Sequence, residues 1–186
     1  MKTRNIIAWI LILIFIDQTI KVLINIYFIE THFEIIPSLI EFKPTFNVRH
    51  SWVNNLLNDN FGINVGMIPH IILYMIIAIL VPMYFSYFKY KISHNKKLID
   101  VATIFLMTAV LCALIGNIIW AKGTLDYIYL IPLFVFDLKD VYSDCGVVVF
   151  LIYVFKNRIE FEQLKKGMQL RDVYIETRNR YRKIEN

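Results

Sequence analysis

Four long apolar runs limit what this chain can fold into. They extend from Ile6 to Ile29, from Ile68 to Phe88, from Ile99 to Ala121, and roughly from Ile131 to Phe155. A bilayer's hydrocarbon is spanned by about 20 apolar residues rising 1.5 Å each, and the first three runs qualify on length alone. Soluble domains lack such stretches, and a 58% hydrophobic composition exceeds their usual half. The sequence predicts a polytopic, all-α integral membrane protein with four transmembrane helices. The first run is expected to stay as a span rather than serve as a cleaved leader. Its apolar region is too long, it holds Asp17, Gln18 and Lys21, and no small-residue cleavage site follows.

The formal net charge is +5, and its distribution argues against nucleic acid as a partner. Lys2 and Arg4 precede the first run, Lys89, Lys91, Lys96 and Lys97 separate the second and third, and a Lys/Arg-rich tail follows the fourth. The loop from Glu30 to Met67 carries only Lys43 and Arg49, and the stretch from Lys122 to Asp140 only Lys122 and Lys139. Positive residues accumulate on the cytoplasmic side, so both termini are expected there. One membrane domain is expected over residues 1–156, followed by a charged tail over 157–186. Phe161, Leu164, Met168 and Ile175 recur in that tail at roughly helical spacing. A cytoplasmic helix held near anionic lipid is the expectation, with docking of a protein partner as the sharper alternative.

The loop over residues 30–67 opens with a partly alternating apolar stretch, FEIIPSLIEFKPTFNV, followed by NNLLNDNFGIN. The first reads as strand and the second as a turn-rich stretch or short amphipathic helix on the membrane face. Together they predict a small β cradle at the outer surface. Cys112 and Cys145 fall within apolar runs and read as small hydrophobes. The four histidines are scattered, so neither metal nor other cofactor is expected.

The polar residues at membrane depth carry the functional argument, because each unpaired charge there costs roughly 2.5–3.5 kcal/mol on insertion scales. Asp17 and Lys21 are one helical turn apart and can pair, fixing the first helix against its neighbours. Gly116 and Asn117 lie near the end of the third run, where glycine permits close helix approach and a buried Asn bonds across helices. Asp126 follows in a short apolar stretch and, alone, reads as a turn or cap residue. Topology brings it toward the Asp137/Asp140 cluster, and the spacing of Asp137, Asp140 and Asp144 implies one helix face. Two neighbouring carboxylates do not both ionise comfortably, so one retains a proton while the other acts as base. An aspartic peptidase uses that arrangement; spacing alone leaves open which acid partners Asp126.

These residues resemble the motifs of the lipoprotein signal peptidase (signal peptidase II) family. Asp17, Gln18 and Lys21 are similar to its Asp-Gln-x-x-Lys segment, and GNII at Gly116–Ile119 to the start of its Gly-Asn-x-x-Asp-Arg motif. TLDYI is similar to its Val-Val-Asp-Phe-Ile, and FDLKDVYSDCGVVV to its Phe-Asn-x-Ala-Asp-Ser motif followed by Gly-Val-Val. The resemblance covers about residues 6–156. It implies four spans, an outward-facing site in the bacterial cytoplasmic (inner) membrane, and cleavage of lipid-modified prolipoproteins by Asp126 and Asp140. Asn47 is the better-placed match to an outer-loop Asn of the family, with Asn64 as the other. Trp120 and Ala121 stand where the family has Asp-Arg, Asp137 replaces an Asn, and Lys139 replaces an Ala. The resemblance implies substrate-binding or support roles for Asn47, Asn117, Asp17 and Lys21. Among the departures, Asp137 and Lys139 are expected to place extra charges beside the pair, and Arg49, where the family has Gly, to take over the missing Arg's role. The alternative expectation is a catalytically silent relative that binds lipoproteins, lipidated peptides or a membrane-protein partner.

Overall fold

The computed structural model describes residues 1–48, 52–63, 65–120 and 123–165. Among the described residues, three helices are long and apolar enough to cross a membrane, at residues 3–28, 67–91 and 96–119. The first comprises α1 (Thr3–Leu23) and a π-helical turn, Ile24–Phe28. The others are α3 (Met67–Lys91) and α4 (Lys96–Ile119). The fourth expected span begins later than its apolar run. Ile131–Phe136 forms a turn and a strand, and α5 (Leu138–Lys156) starts only after them. With 19 residues that include Lys139, Asp140 and Asp144, α5 falls short of the apolarity of the other three.

Helix α4 is the axis of the bundle and packs against α1, α3 and α5. Small residues set these contacts, because helix association in lipid relies on close approach. A Cβ on Gly146 would lie 2.7 Å from Leu106 Cγ, so only glycine lets α5 sit this close to α4. Large apolar side chains such as Leu11 and Phe15 of α1 and Ile72 and Ile79 of α3 point outward, as lipid-facing residues do.

A four-stranded antiparallel sheet covers one end of the bundle, in the order β1 (Phe33–Ile36), β2 (Ile40–Asn47), β3 (Thr124–Leu130), β4 (Phe134–Phe136). The short helix α2 (Trp52–Phe61) follows β2. Both the strand pattern and the amphipathic segment expected between residues 30 and 67 are therefore present. Leu125 and Tyr127 of β3 bury against Ile24 at the end of α1, which seats the sheet on the bundle. At the opposite end, Phe85, Phe88, Ile99 and Tyr153 form a second core, against which Phe161 of α6 (Arg158–Lys165) packs. The buried Asp100 there is ion-paired with Lys89 and the Met1 amino group. Helix α6 opens the expected tail; its later residues, Met168 and Ile175 among them, lie outside the described residues, as do Arg49 and Asn64.

Candidate active site

Asp137 and Asp140 are set by the start of α5. Asp137 has extended backbone (φ −135°) and is the N-cap, its Oδ1 accepting from the Asp140 N–H at 3.3 Å. Asp140 Oδ2 accepts in return from the Asp137 N–H at 3.1 Å, completing a capping box. The expected single face of Asp137, Asp140 and Asp144 is corrected here. Asp137 precedes the helix, and Asp144 is exposed on α5 rather than joined to the acidic group.

Asp126 is in a strand, not a turn. It pairs in register with Thr45 of β2, and strand alternation turns it and Thr124 away from the face of Leu125 and Tyr127. Two glycines make this placement possible. Gly123 has φ +95° and approaches Asn47 so closely that a Cβ would meet its carbonyl oxygen at 2.4 Å. At Gly116 a Cβ would lie 2.9 Å from Thr124 Cγ2, so α4 can run directly under the start of β3. Across the ladder, Asn47 Nδ2 donates to Asp126 Oδ2 at 3.2 Å.

Two lysines join these acids into one network. Lys139 Nζ lies 2.9 Å from Asp126 Oδ1, 2.9 Å from Asp137 Oδ1 and 3.4 Å from Asp140 Oδ2. Lys21 Nζ lies 2.7 Å from Asp137 Oδ2 and 2.9 Å from Asp17 Oδ2, and Gln18 Nε2 donates to the same Asp17 oxygen at 2.8 Å. Among the described residues, four carboxylates share two ammonium groups, and full ionisation of these six would leave two excess negative charges. Burial pushes the Asp126 carboxyl above the usual carboxylate range, against the opposing pull of Lys139. Burial acts on Asp137 in the same sense, but Lys139 and then Lys21 outweigh it and hold that carboxyl below the usual range. Asp126 is therefore the acid outside the helices that more readily keeps a proton.

Oxygens of Asp126, Asp137 and Asp140 lie within 4.8 Å of one another, a grouping that could hold a divalent cation. Lys139 projects its ammonium among the same three carboxylates and already supplies positive charge there. Of the other residues singled out in the sequence, Asn117 is buried, but its amide donates to the Ala113 carbonyl of its own helix at 2.8 Å. Among the described residues its Oδ1 has no hydrogen-bond partner, so it is not bonded to the acidic network. Sequence reasoning missed Tyr74 of α3, which lies within electrostatic reach of Lys139, Asp140, Asp126 and Asp137. Its one signal was a phenol within an apolar span. Cys112, read as a small hydrophobe, is buried beside Asp17.

An apolar helical bundle capped by a small sheet, with buried carboxylates gathered beneath that sheet, defines a membrane protein with the polar equipment of an aspartic hydrolase. The model of one family, signal peptidase (SPase) II, matches residues 9–156, and the chain belongs to that family. It is thereby an aspartyl-protease-family membrane protein of lipoprotein processing. The fold is similar to that of two bacterial membrane enzymes of known structure. One is 22% identical, with a TM-score of 0.66, covering 84% of this chain and 91% of that one. The other is 21% identical, with a TM-score of 0.63, covering 84% and 96%. No curated protein sequence matches this chain.

Proposed function

We propose that the chain is a lipoprotein signal peptidase that cuts lipid-modified prolipoproteins with Asp126 and Asp140 as its catalytic pair. One observation carries this reading: Asp126 of β3 and Asp140 of α5 both reach the Lys139 ammonium, at 2.9 and 3.4 Å. Two carboxylates from separate elements, within reach of one small group, are what water activation and proton donation to a scissile carbonyl require. Asp126, whose side chain is only 5% exposed, is the member that keeps the proton and donates it. Asp140, at 45%, faces the open side and activates the water. Asn47 orients Asp126, and Asp137, Lys21 and Asp17 brace Lys139 from behind. Asn117 is kept as a support residue on the family resemblance, and Arg49, which stands where the family has Gly, as a stand-in for the family's missing Arg.

In this reading α5 is the fourth span, and its charged first turns sit at the membrane surface beneath the sheet. Residues 1–156 form the membrane domain and 157–186 a cytoplasmic tail able to meet lipid or a protein partner. Both termini are cytoplasmic, so the sheet and the catalytic pair face outward from the bacterial inner membrane. The distribution of Lys and Arg supports that orientation.

Co-expression with a lipid-modified prolipoprotein, beside Asp126→Asn and Asp140→Asn forms, tests the reading. Cleavage by the unmodified protein, lost in both variants, is expected. No cleavage by the unmodified protein, or cleavage surviving both substitutions, would sink it. The seat of Lys139 between the two acids favours a second reading, a silent relative that retains lipoprotein binding. Binding without cleavage is its signature.

A further inference from the structure

The geometry points to Lys139 as a gate on the catalytic pair, closed without substrate, which the substrate must drive back toward Asp137 before cleavage. This inference deepens the peptidase reading and rests on it. In the closed arrangement both oxygens of Asp126 are engaged, Oδ1 by Lys139 at 2.9 Å and Oδ2 by Asn47 at 3.2 Å. The position between Asp126 and Asp140, where an attacking water must touch both carboxylates, is filled by an ammonium 2.9 and 3.4 Å from them. A water or a scissile carbonyl enters only after that ammonium leaves.

Asp137 supplies the place for it to go. Its Oδ1 is already 2.9 Å from Lys139 Nζ, and its side chain is fully buried. Lys21 holds its other oxygen at 2.7 Å, while the cap of α5 fixes its backbone. An ammonium has three donors on a flexible four-carbon stem, so Lys139 can release Asp126 and Asp140 while keeping Asp137. Retreat costs the contact with Asp126 and the ion pair with Asp140, and the energy must come from contacts elsewhere on the substrate. Binding energy from remote groups is commonly spent in this way. A peptide without its lipid has less of it, so Lys139 also favours lipidated substrates.

The test compares the unmodified protein with Lys139→Met, which keeps an unbranched apolar stem, and with Asp137→Asn/Lys139→Ala. The double variant removes one acid and one base and keeps an effective helix cap, which preserves the fold if the single variant loses it. Two readouts are taken: cleavage of a diacylglyceryl-modified prolipoprotein, and affinity for a lipopeptide bearing a statine hydroxyl at the scissile position. Opening the gate is expected to improve both by about tenfold, or about 1.4 kcal/mol, and to narrow the preference for lipidated over unlipidated peptide. Variants that stay folded yet bind the statine probe no tighter and cleave no faster overturn the gate. Tighter probe binding with no cleavage by any form keeps the gate and sinks the peptidase reading. Cleavage by the unmodified protein that neither variant improves, with unchanged affinity, sinks the gate alone.

Discussion

Lys21 Nζ lies 2.7 Å from Asp137 Oδ2, and both side chains are fully buried, so one ion pair ties the first helix to the start of α5. Removing a single partner from such a pair leaves an uncompensated charge and costs about 3–5 kcal/mol. Lys21→Met is therefore expected to lower the thermal midpoint in detergent sharply, since Asp17 loses its cation and Asp137 is left with Lys139 alone. Lys21→Met/Asp137→Asn should recover part of that loss. A single variant as stable as the parent would mean that the pair adds nothing to the helix contact.

The turn between α4 and β3 depends on Gly123. At φ +95° a side chain is strained, and its Cβ would meet the Asn47 carbonyl oxygen at 2.4 Å. Gly123→Ala should push β3 off the edge of β2 and disturb the Asn47–Asp126 contact, reducing cleavage more than stability. Gly116→Ala meets only a side-chain methyl of Thr124, at 2.9 Å, and should be milder. Cleavage rates of the two variants, each compared with its own unfolding midpoint, check the ranking.

Much of the architecture was legible because hydrophobic length and alternation are local properties. The runs at Ile68–Phe88 and Ile99–Ala121 match α3 and α4 to within a few residues, and the alternation after Phe33 reports a true hairpin. What stayed hidden is non-local. Asp126 reads as a turn residue because nothing near it shows the β2 strand that pairs with it. Asn47 reaches Asp126 from 79 positions away, across a ladder whose register shifts between Phe42 and Thr45. Asp137 at i relative to Asp140 at i+3 looks like a shared helix face, yet the same spacing also describes a capping box, and here the cap wins. The position of Lys139 was plain, but its three carboxylate partners come from β3, the cap and α5 together.

Asn47 donates to Asp126 Oδ2 at 3.2 Å and lies on the adjacent strand, so its effect on that acid can be isolated. Asn47→Ala removes a donor to a buried carboxyl group, typically worth about 0.5–1.5 kcal/mol when the acceptor is uncharged. A fall in cleavage rate with little change in substrate affinity is expected. Asn47→Asp should be worse, because it adds a like charge beside Asp126. Equal rates for the parent and both variants would remove Asn47 from the machinery.

Asp126 and Asp137 should respond to acid with opposite signs. Burial pushes Asp137 up, but Lys139 and Lys21 bring its folded value below the unfolded one of about 3.9. A depressed acid contributes stability above its unfolded pKa, and that contribution disappears as pH falls through the folded value. Asp137→Asn should thus be less stable than the parent by a constant margin from neutral pH to about 5, and the margin should shrink below about 4. Burial raises Asp126 instead, so holding its proton above the unfolded pKa works against the fold at neutral pH. Asp126→Asn should be the more stable protein at pH 7, with the advantage vanishing below about 3.9, where the unfolded chain's carboxyl is protonated as well. Unfolding midpoints of the three proteins across this pH range measure both trends. A margin for Asp137→Asn that widens in acid, or an Asp126→Asn protein less stable than the parent at pH 7, would contradict the assigned charge states.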